Sequence, residues 1–374
     1  MPELAVGLIG AGGIARAHLP AWLELGARVT VFTPDDSGGK LAAEYAQQGV
    51  RAASSLGELL DEAEAVDVCT PTHTHREVAL TALRAGRHVA CEKPLALTVE
   101  DVEEMIAEAE RAGVLLFPAH VVRYFPEYAA MADAVAGGAV GEPAVLRFTR
   151  TGTYPVWSPW FADPSLSGGL LVDQMIHDFD FARLLAGEVA RVHAHVRGHQ
   201  EAPALAGCVA AGTAVLTHAS GAVSHVHGVW GLPDTQFRTT FRIAGRRGVL
   251  HHDSAQTKAF RVISQGRATE GEGIPATNLT ESPFLTELRE FARAVRGGPA
   301  PRVSARDGLA AVRIALAAAE SAHTGRAVDM AGGNDEATGV REPRKHQEAA
   351  QEAVPGIRAV QEGQQAHETG EVTR

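Results

Sequence analysis

Cysteine is scarce: Cys69, Cys91 and Cys208 are the only three in 374 residues, and three thiols cannot build a disulfide framework. Cys69 and Cys91 lie in apolar, strand-like runs, so the expectation is buried free thiols. Basic charge is also in deficit, with 34 Lys and Arg against 45 Asp and Glu. A formal charge of -11 repels a polyanion over most of the surface, which argues against a nucleic-acid partner. No apolar run approaches the roughly 20 residues needed to cross a bilayer. The opening MPELAVGLIGAGG has no basic leader and runs directly into a glycine turn, so a cytoplasmic protein without a membrane partner is expected. Metal-ligand spacing is lacking as well. His251-His252-Asp253 is too compact for one strand face, and His225 and His227 have no third ligand nearby in sequence.

What is present is a chain that can bury a core. Hydrophobic residues make up 45%, and 39 glycines with 19 prolines imply many tight turns. Over residues 1–120, short β-rich runs alternate with helical patterns: strands at Leu4–Ile9, Val29–Phe32, Val66–Cys69, His88–Cys91 and Val114–Phe117, with helices between them. Such alternation predicts an α/β, doubly wound parallel sheet whose ligand lies beyond the carboxyl ends of its strands. Residues 121–331 read differently, with β-like segments following one another and helices at Met175–Leu185, Pro283–Val295 and Ala305–His323. This predicts a second, α+β domain on a largely antiparallel open sheet, for substrate binding and oligomerisation. An outer sheet face carrying Val, Leu and Phe would favour assembly through that face. Residues 332–374 have little apolar periodicity and are expected to be disordered.

Gly10-Ala11-Gly12-Gly13-Ile14-Ala15 fits G-x-G-x-x-A between a strand and a helix. Gly10 permits the turn, Gly12 lets the backbone approach a pyrophosphate, and the N–H groups of the first turn, from Gly13 and Ile14, point at the anion. The residue expected to grip the adenosine ribose is Thr33, followed by Pro34, Asp35 and Asp36. Threonine leaves the choice between NAD and NADP open. The two aspartates and the missing arginine lean towards NAD. Two further loops should open beside the dinucleotide: Cys69 to His75, which brings Thr70, Pro71, His73 and His75, and Glu92-Lys93-Pro94. A lysine fixed at that edge is placed to stabilise a developing alkoxide.

Asp173 and His177, four residues apart, fall on one face of the helix this segment predicts, with Asp173 in its first turn. A carboxylate beside an imidazole sets its tautomer and supports its charged form. Asp180 is an alternative partner for His177. Arg123 and Tyr124, after the sixth strand, and Trp157 and Trp160, in an aromatic loop, are candidates to read substrate hydroxyls.

Taken together, these residues resemble the Gfo/Idh/MocA family of NAD(P)-dependent oxidoreductases. The resemblance rests on the glycine turn with His18 downstream, the Cys69 to His75 loop, Glu92-Lys93-Pro94, and Gly168-Gly169 with Asp173, His177 and Asp180. It covers residues 3–330. It implies that Lys93, Asp173 and His177 hold the catalytic positions of the sugar and inositol dehydrogenases. His177 would take the hydroxyl proton as hydride leaves, with Lys93 at the oxygen and Asp173 orienting substrate and imidazole. The stretch from Ile176 to Asp180 looks especially like the inositol 2-dehydrogenase branch. The substrate implied is a sugar or cyclitol and the assembly a homodimer or homotetramer. Two alternatives remain: an enzyme that recycles its dinucleotide in sugar-sugar oxidoreduction or glycoside cleavage, and a non-catalytic sensor.

Overall fold

The computed structural model describes residues 3–155, 158–198, 210–233, 235–255, 260–264, 267–269 and 281–330. Cys208, Trp157 and the tail from 332 to 374 lie outside them. Met1–Ala331 holds together as one compact unit.

The first sheet comprises β1 (Ala5–Ile9), β2 (Arg28–Phe32), β3 (Arg51–Ala52), β4 (Ala65–Val68), β5 (His88–Glu92) and β6 (Leu116–Ala119). Their order is 3-2-1-4-5-6 and every pairing is parallel. This is the expected doubly wound arrangement. β1, β4 and β6 are buried along their whole lengths, because helices cover both faces: α1 (Gly13–Glu24), α2 (Ser37–Glu44), α3 (Leu56–Glu62), α4 (His75–Arg84) and α5 (Val99–Ala112). The caps of α5 are local: the Thr98 hydroxyl accepts from Asp101 N–H, and Gly113 closes the far end in a left-handed conformation.

After α6 (Pro126–Ala136), the chain enters a nine-stranded sheet. Its strands are β7 (Pro143–Thr153), β8 (Val189–Arg197), β9 (Ala210–His218), β10 (Val223–Gly231), β11 (Arg238–Gly245), β12 (Gly248–Asp253), β13 (Phe260–Ser264), β14 (Arg267–Thr269) and β15 (Val328–Asp329). β7 and β10 pair in parallel and the other neighbours are antiparallel. Residues alternate along β7, with Leu146, Phe148 and Arg150 buried and Arg147 exposed. The outer face is mixed: partly exposed Val145, Val215, Val223 and Val229 lie in register with exposed Arg147, Thr213, Thr217, His225 and His227, so on β7, β9 and β10 it carries the expected Val but neither Leu nor Phe. α7 (Pro164–Ser167) packs on α8 (Gly169–Asp173), and the inner face is covered by α8, α9 (Ile176–Ala186) and α11 (Ala305–Thr324). α10 (Pro283–Val295) instead returns to the first sheet, where Leu285, Leu288 and Phe291 share a core with Trp22 and Phe117. Among the described residues no helix is long and apolar enough to cross a membrane.

The single helix expected to carry Asp173 and His177 is two helices. α8 ends at Asp173 and α9 begins at Ile176. The break follows from packing, since Met175 drops onto the sheet at Gly228 and Gly212. A Cβ at those glycines would stand 2.5 and 2.9 Å from its side chain. α9 is then fixed to β7 by a buried pair. Arg150 Nε and Nη2 donate to the two Asp178 oxygens at 2.8 and 2.9 Å, and Nη2 also donates to the Tyr128 hydroxyl at 3.1 Å. Asp178→Ala leaves that guanidinium buried without its counter-ion. It should destabilise the fold by about 3–5 kcal/mol in urea unfolding; a loss under about 1 kcal/mol would show that the pair does not anchor α9.

Candidate active site

The glycine turn forms the floor of a cavity of about 620 Å³ at the carboxyl edge of the first sheet, lined by Gly12, Ile14, Thr33, Thr70, Pro71 and Trp160 among others. Gly10 has φ +115° and a Cβ there would lie 2.4 Å from the Cys69 carbonyl oxygen, so only glycine fits. At Gly12 and Gly13 a Cβ would meet nothing within 4 Å. The free space above the start of α1, with backbone N–H groups facing it, is what a pyrophosphate requires. A dinucleotide therefore fits the cradle.

Other predicted cofactor residues play different parts. The Thr33 hydroxyl donates to the Asp35 carbonyl at 2.9 Å and accepts from Gly38 N–H at 2.7 Å, so it shapes its own loop. Asp35, also on the cavity wall, accepts from Ser37 N–H and hydroxyl at 3.1 and 2.5 Å, and these bonds hold its carboxyl below the usual range. Lys40 is paired with Asp36 at 2.7 Å. His75 is buried, with its ring nitrogens 2.8 Å from the Pro94 and Thr70 carbonyls. It ties the two active-site loops together and is withdrawn as a cofactor contact. His73 is exposed, with Trp160 edge-on at 6.5 Å, and is not part of the cavity wall.

Glu92 is likewise a core residue. Beneath the turn, the Asp67 carboxylate accepts from Trp22 Nε1 at 2.7 Å and lies 2.9 Å from His18 Nδ1, while Cys69 Sγ is 3.5 Å from the same nitrogen. His18 Nε2 stands 3.3 Å from Glu92 Oε1, and Glu92 Oε2 accepts the Lys93 N–H at 3.1 Å. Burial disfavours charge on His18, but Cys69 and Asp67 outweigh it and raise its pKa. Burial pushes both the Cys69 and Cys91 thiols up, so these free cysteines are held as neutral thiols. Glu92 thus positions the next residue from below. The Lys93–Pro94 peptide is cis.

Lys93 crosses to the other layer. Its Nζ donates to the Asp173 carbonyl at 2.9 Å and to Asp173 Oδ1 at 3.1 Å. Because Asp173 is engaged there, it is not the hydrogen-bond partner expected for His177. The His177 ring is partly exposed, while its Nδ1 is sealed and has no partner among the described residues. Burial, and then the positive Lys93 and Arg150, push its pKa well below the ordinary histidine value, which reverses the expectation of a supported charged form. Asp180 does not serve His177 either. It receives Arg123 Nε at 2.7 Å and Nη2 at 2.5 Å. Arg123, buried and also donating to the Arg302 carbonyl at 3.3 Å, is therefore structural and not a reader of hydroxyls. The same correction applies to Tyr124, whose hydroxyl donates to Glu290 at 3.1 Å under the Arg302 guanidinium. Trp160 remains at the cavity, stacked on Phe161 at 3.8 Å.

One residue escaped the sequence reading. His120 follows β6 directly, at the same edge as Lys93, and is 1% exposed. The available signal was its place just past an apolar strand, as with Lys93. A larger groove of about 780 Å³, lined by Asp133, Leu184 and Arg247 among others, shares no residue with this cluster.

Comparison with known proteins gives this geometry its context. Residues 4–120 match the family described as oxidoreductase family, NAD-binding Rossmann fold, and residues 128–251 match the GFO/IDH/MocA C-terminal domain. The chain is 31% identical to 1,5-anhydro-D-fructose reductase of Ensifer adhaerens and 30% identical to myo-inositol 2-dehydrogenase of Thermotoga maritima. Both matches cover 87% of this chain and 98% of the relative. Among solved structures, levoglucosan dehydrogenase in complex with NADH and levoglucosan superposes with a TM-score of 0.74 at 26% identity, over 87% of this chain and 99% of that one. The chain belongs to the Gfo/Idh/MocA family and is an NAD(P)-dependent dehydrogenase.

Proposed function

We propose that the protein oxidises a secondary alcohol of a sugar or cyclic polyol, inositols included, and reduces the corresponding ketone in reverse. In this reading residues 1–120 hold the dinucleotide and 121–331 supply the substrate side, joined as a homodimer or homotetramer by analogy with the family. The bound NAD(P) supplies the hydride acceptor, with NAD favoured by the Asp35 carboxylate on the cavity wall. Gly10, Gly12, Gly13, Ile14, Thr70 and Pro71 form its cradle.

The observation that carries this reading is the Lys93–Asp173 pair beside a neutral His177. An imidazole whose pKa lies below neutrality is in its acceptor form at pH 7, ready to take a hydroxyl proton. The Lys93 ammonium, held in place by Asp173, donates to the alcohol oxygen as negative charge develops there. Asp173 acts through Lys93 and keeps its ammonium from turning away. In reverse, protonated His177 returns the proton to the oxygen. Assaying inositols and aldoses with NAD and with NADP, by absorbance of the reduced nicotinamide, should reveal turnover of at least one. No turnover of any sugar or cyclitol would contradict the reading.

Three substitutions separate the parts. A side chain at position 12 meets no protein atom within 4 Å, so Gly12→Val should fold normally by circular dichroism yet lose most dinucleotide affinity; a folded variant with unchanged affinity would place the pyrophosphate elsewhere. His177→Ala should lower the chemical rate by about two to four orders of magnitude with dinucleotide binding intact, and near-normal turnover would remove His177 from the mechanism. Lys93→Met should cost about a hundredfold or more in turnover. It also removes one of the charges that depress His177. The acid limb of alcohol oxidation, which in the native enzyme lies well below about pH 6.5, should therefore move up towards that value. An unmoved limb would mean that Lys93 does not act on His177.

A further inference from the structure

His120 is the polar side chain in this neighbourhood whose surroundings leave it without employment. The parallel pairing of β5 with β6 sets Glu92 against Ala119, so Lys93 and His120 are the next residues along neighbouring strands at one sheet edge. The ring is buried, and neither nitrogen has a hydrogen-bond partner among the described residues. A buried imidazole with both nitrogens unpaired is costly, and such a group calls for a functional or structural explanation. Its nearest acid is Asp180, whose Oδ2 lies 3.8 Å from Nδ1. That is beyond hydrogen-bond length, and the carboxylate already holds Arg123 through both oxygens.

The tautomer follows from this arrangement. A carboxylate on the Nδ1 side favours the proton on Nδ1 and leaves the lone pair on Nε2. Burial, with Arg123 and Lys93 opposing Asp180 and Glu92, lowers the pKa of His120, so the ring stays neutral at pH 7. Its free valence is then an acceptor, beside the ammonium that receives the reacting oxygen. His177, partly exposed, is the group placed to exchange a proton with that oxygen. His120, sealed deeper and electrostatically coupled to it, is suited to binding.

We infer that His120 is a substrate-contacting, specificity-determining residue whose Nε2 accepts a hydrogen bond from a non-reacting hydroxyl of the sugar or cyclitol. The inference rests on the proposed function and deepens it. It predicts that the enzyme requires a hydroxyl donor at one ring position besides the carbon oxidised, and that an analogue without that donor is turned over poorly. Asp180, itself fixed by Arg123, is a positioning residue for the ring.

The test uses the sugar or inositol that the wild-type enzyme turns over fastest, together with its monodeoxy derivatives. These are compared in wild type, His120→Leu, which removes the acceptor, and His120→Gln, whose amide oxygen reaches about the place of Nε2. With the parent substrate, Leu should lower kcat/KM by about five- to a hundredfold while dinucleotide affinity, read by fluorescence, is unchanged. One monodeoxy derivative should lose a similar factor in wild type and lose little more in the Leu variant, and Gln should recover part of the loss. If every derivative loses the same factor in wild type and in His120→Leu, the effects are additive and His120 touches no hydroxyl. If wild type turns over no sugar or cyclitol at all, the proposed function falls and this inference with it, so the two failures are distinguishable.

Discussion

The bond from Lys93 to Asp173 is the constraint on which the site depends. An ammonium 16% exposed needs a fixed partner, and this one finds both a carboxylate and a carbonyl on a residue eighty positions away. The bond joins the carboxyl edge of the parallel sheet to the end of α8 on the second sheet. Asp173 ends its helix there, Met175 seats over Gly212 and Gly228, and His177 enters in the first turn of the next helix. That electrostatic choice adds to what sets the protonation state of another residue. Burial is the first reason His177 is held neutral, and with Asp173 spent on Lys93 the positive Lys93 and Arg150 act in the same direction.

The same allocation runs through α9. Asp178 and Asp180 each bind an arginine, Arg150 and Arg123, which come from different elements. Asp307 extends the second pair to α11. Although burial pushes its carboxyl up, Arg123, Ser304 and Arg183 bring it to about 2. Cations and carboxylates are thus matched to one another, and the imidazoles of His177 and His120 are left with unpaired nitrogens. On the proposed reading, a reacting alcohol meets imidazoles free of competing bonds and a lysine already oriented by Asp173, which is the form of preorganisation that accelerates charge development at oxygen.

Local patterns made much of this readable from the chain. The glycine turn at residue 10 and the alternation of strands and helices to residue 120 announce themselves by residue type and spacing, as do Lys93 and His177 as candidates for the proposed site. What the chain does not display is partnership across distance. The break between α8 and α9 depends on two glycines of β9 and β10, neither near in sequence. Arg123 and Tyr124 look like free polar groups until Asp180 and Glu290 are seen against them. His120 has no motif of its own, and its place beside Lys93 emerges only from the register of β5 with β6. α10, written late in the chain, completes the core of the first sheet, a return that no composition shift marks. The outer face of the second sheet was only partly legible for a related reason, because apolar counts along a strand do not say which residues point inward: Leu146, Phe148 and Leu216 do, and Val145, Val215 and Val223 do not.

The central claim is that Lys93 and His177 converge on one alcohol oxygen. A crystal structure of the protein with NAD and the sugar or cyclitol it turns over tests this most directly. The account predicts one hydroxyl oxygen within about 3 Å of both Lys93 Nζ and a ring nitrogen of His177. A substrate bound with its reacting hydroxyl out of reach of either group would contradict it.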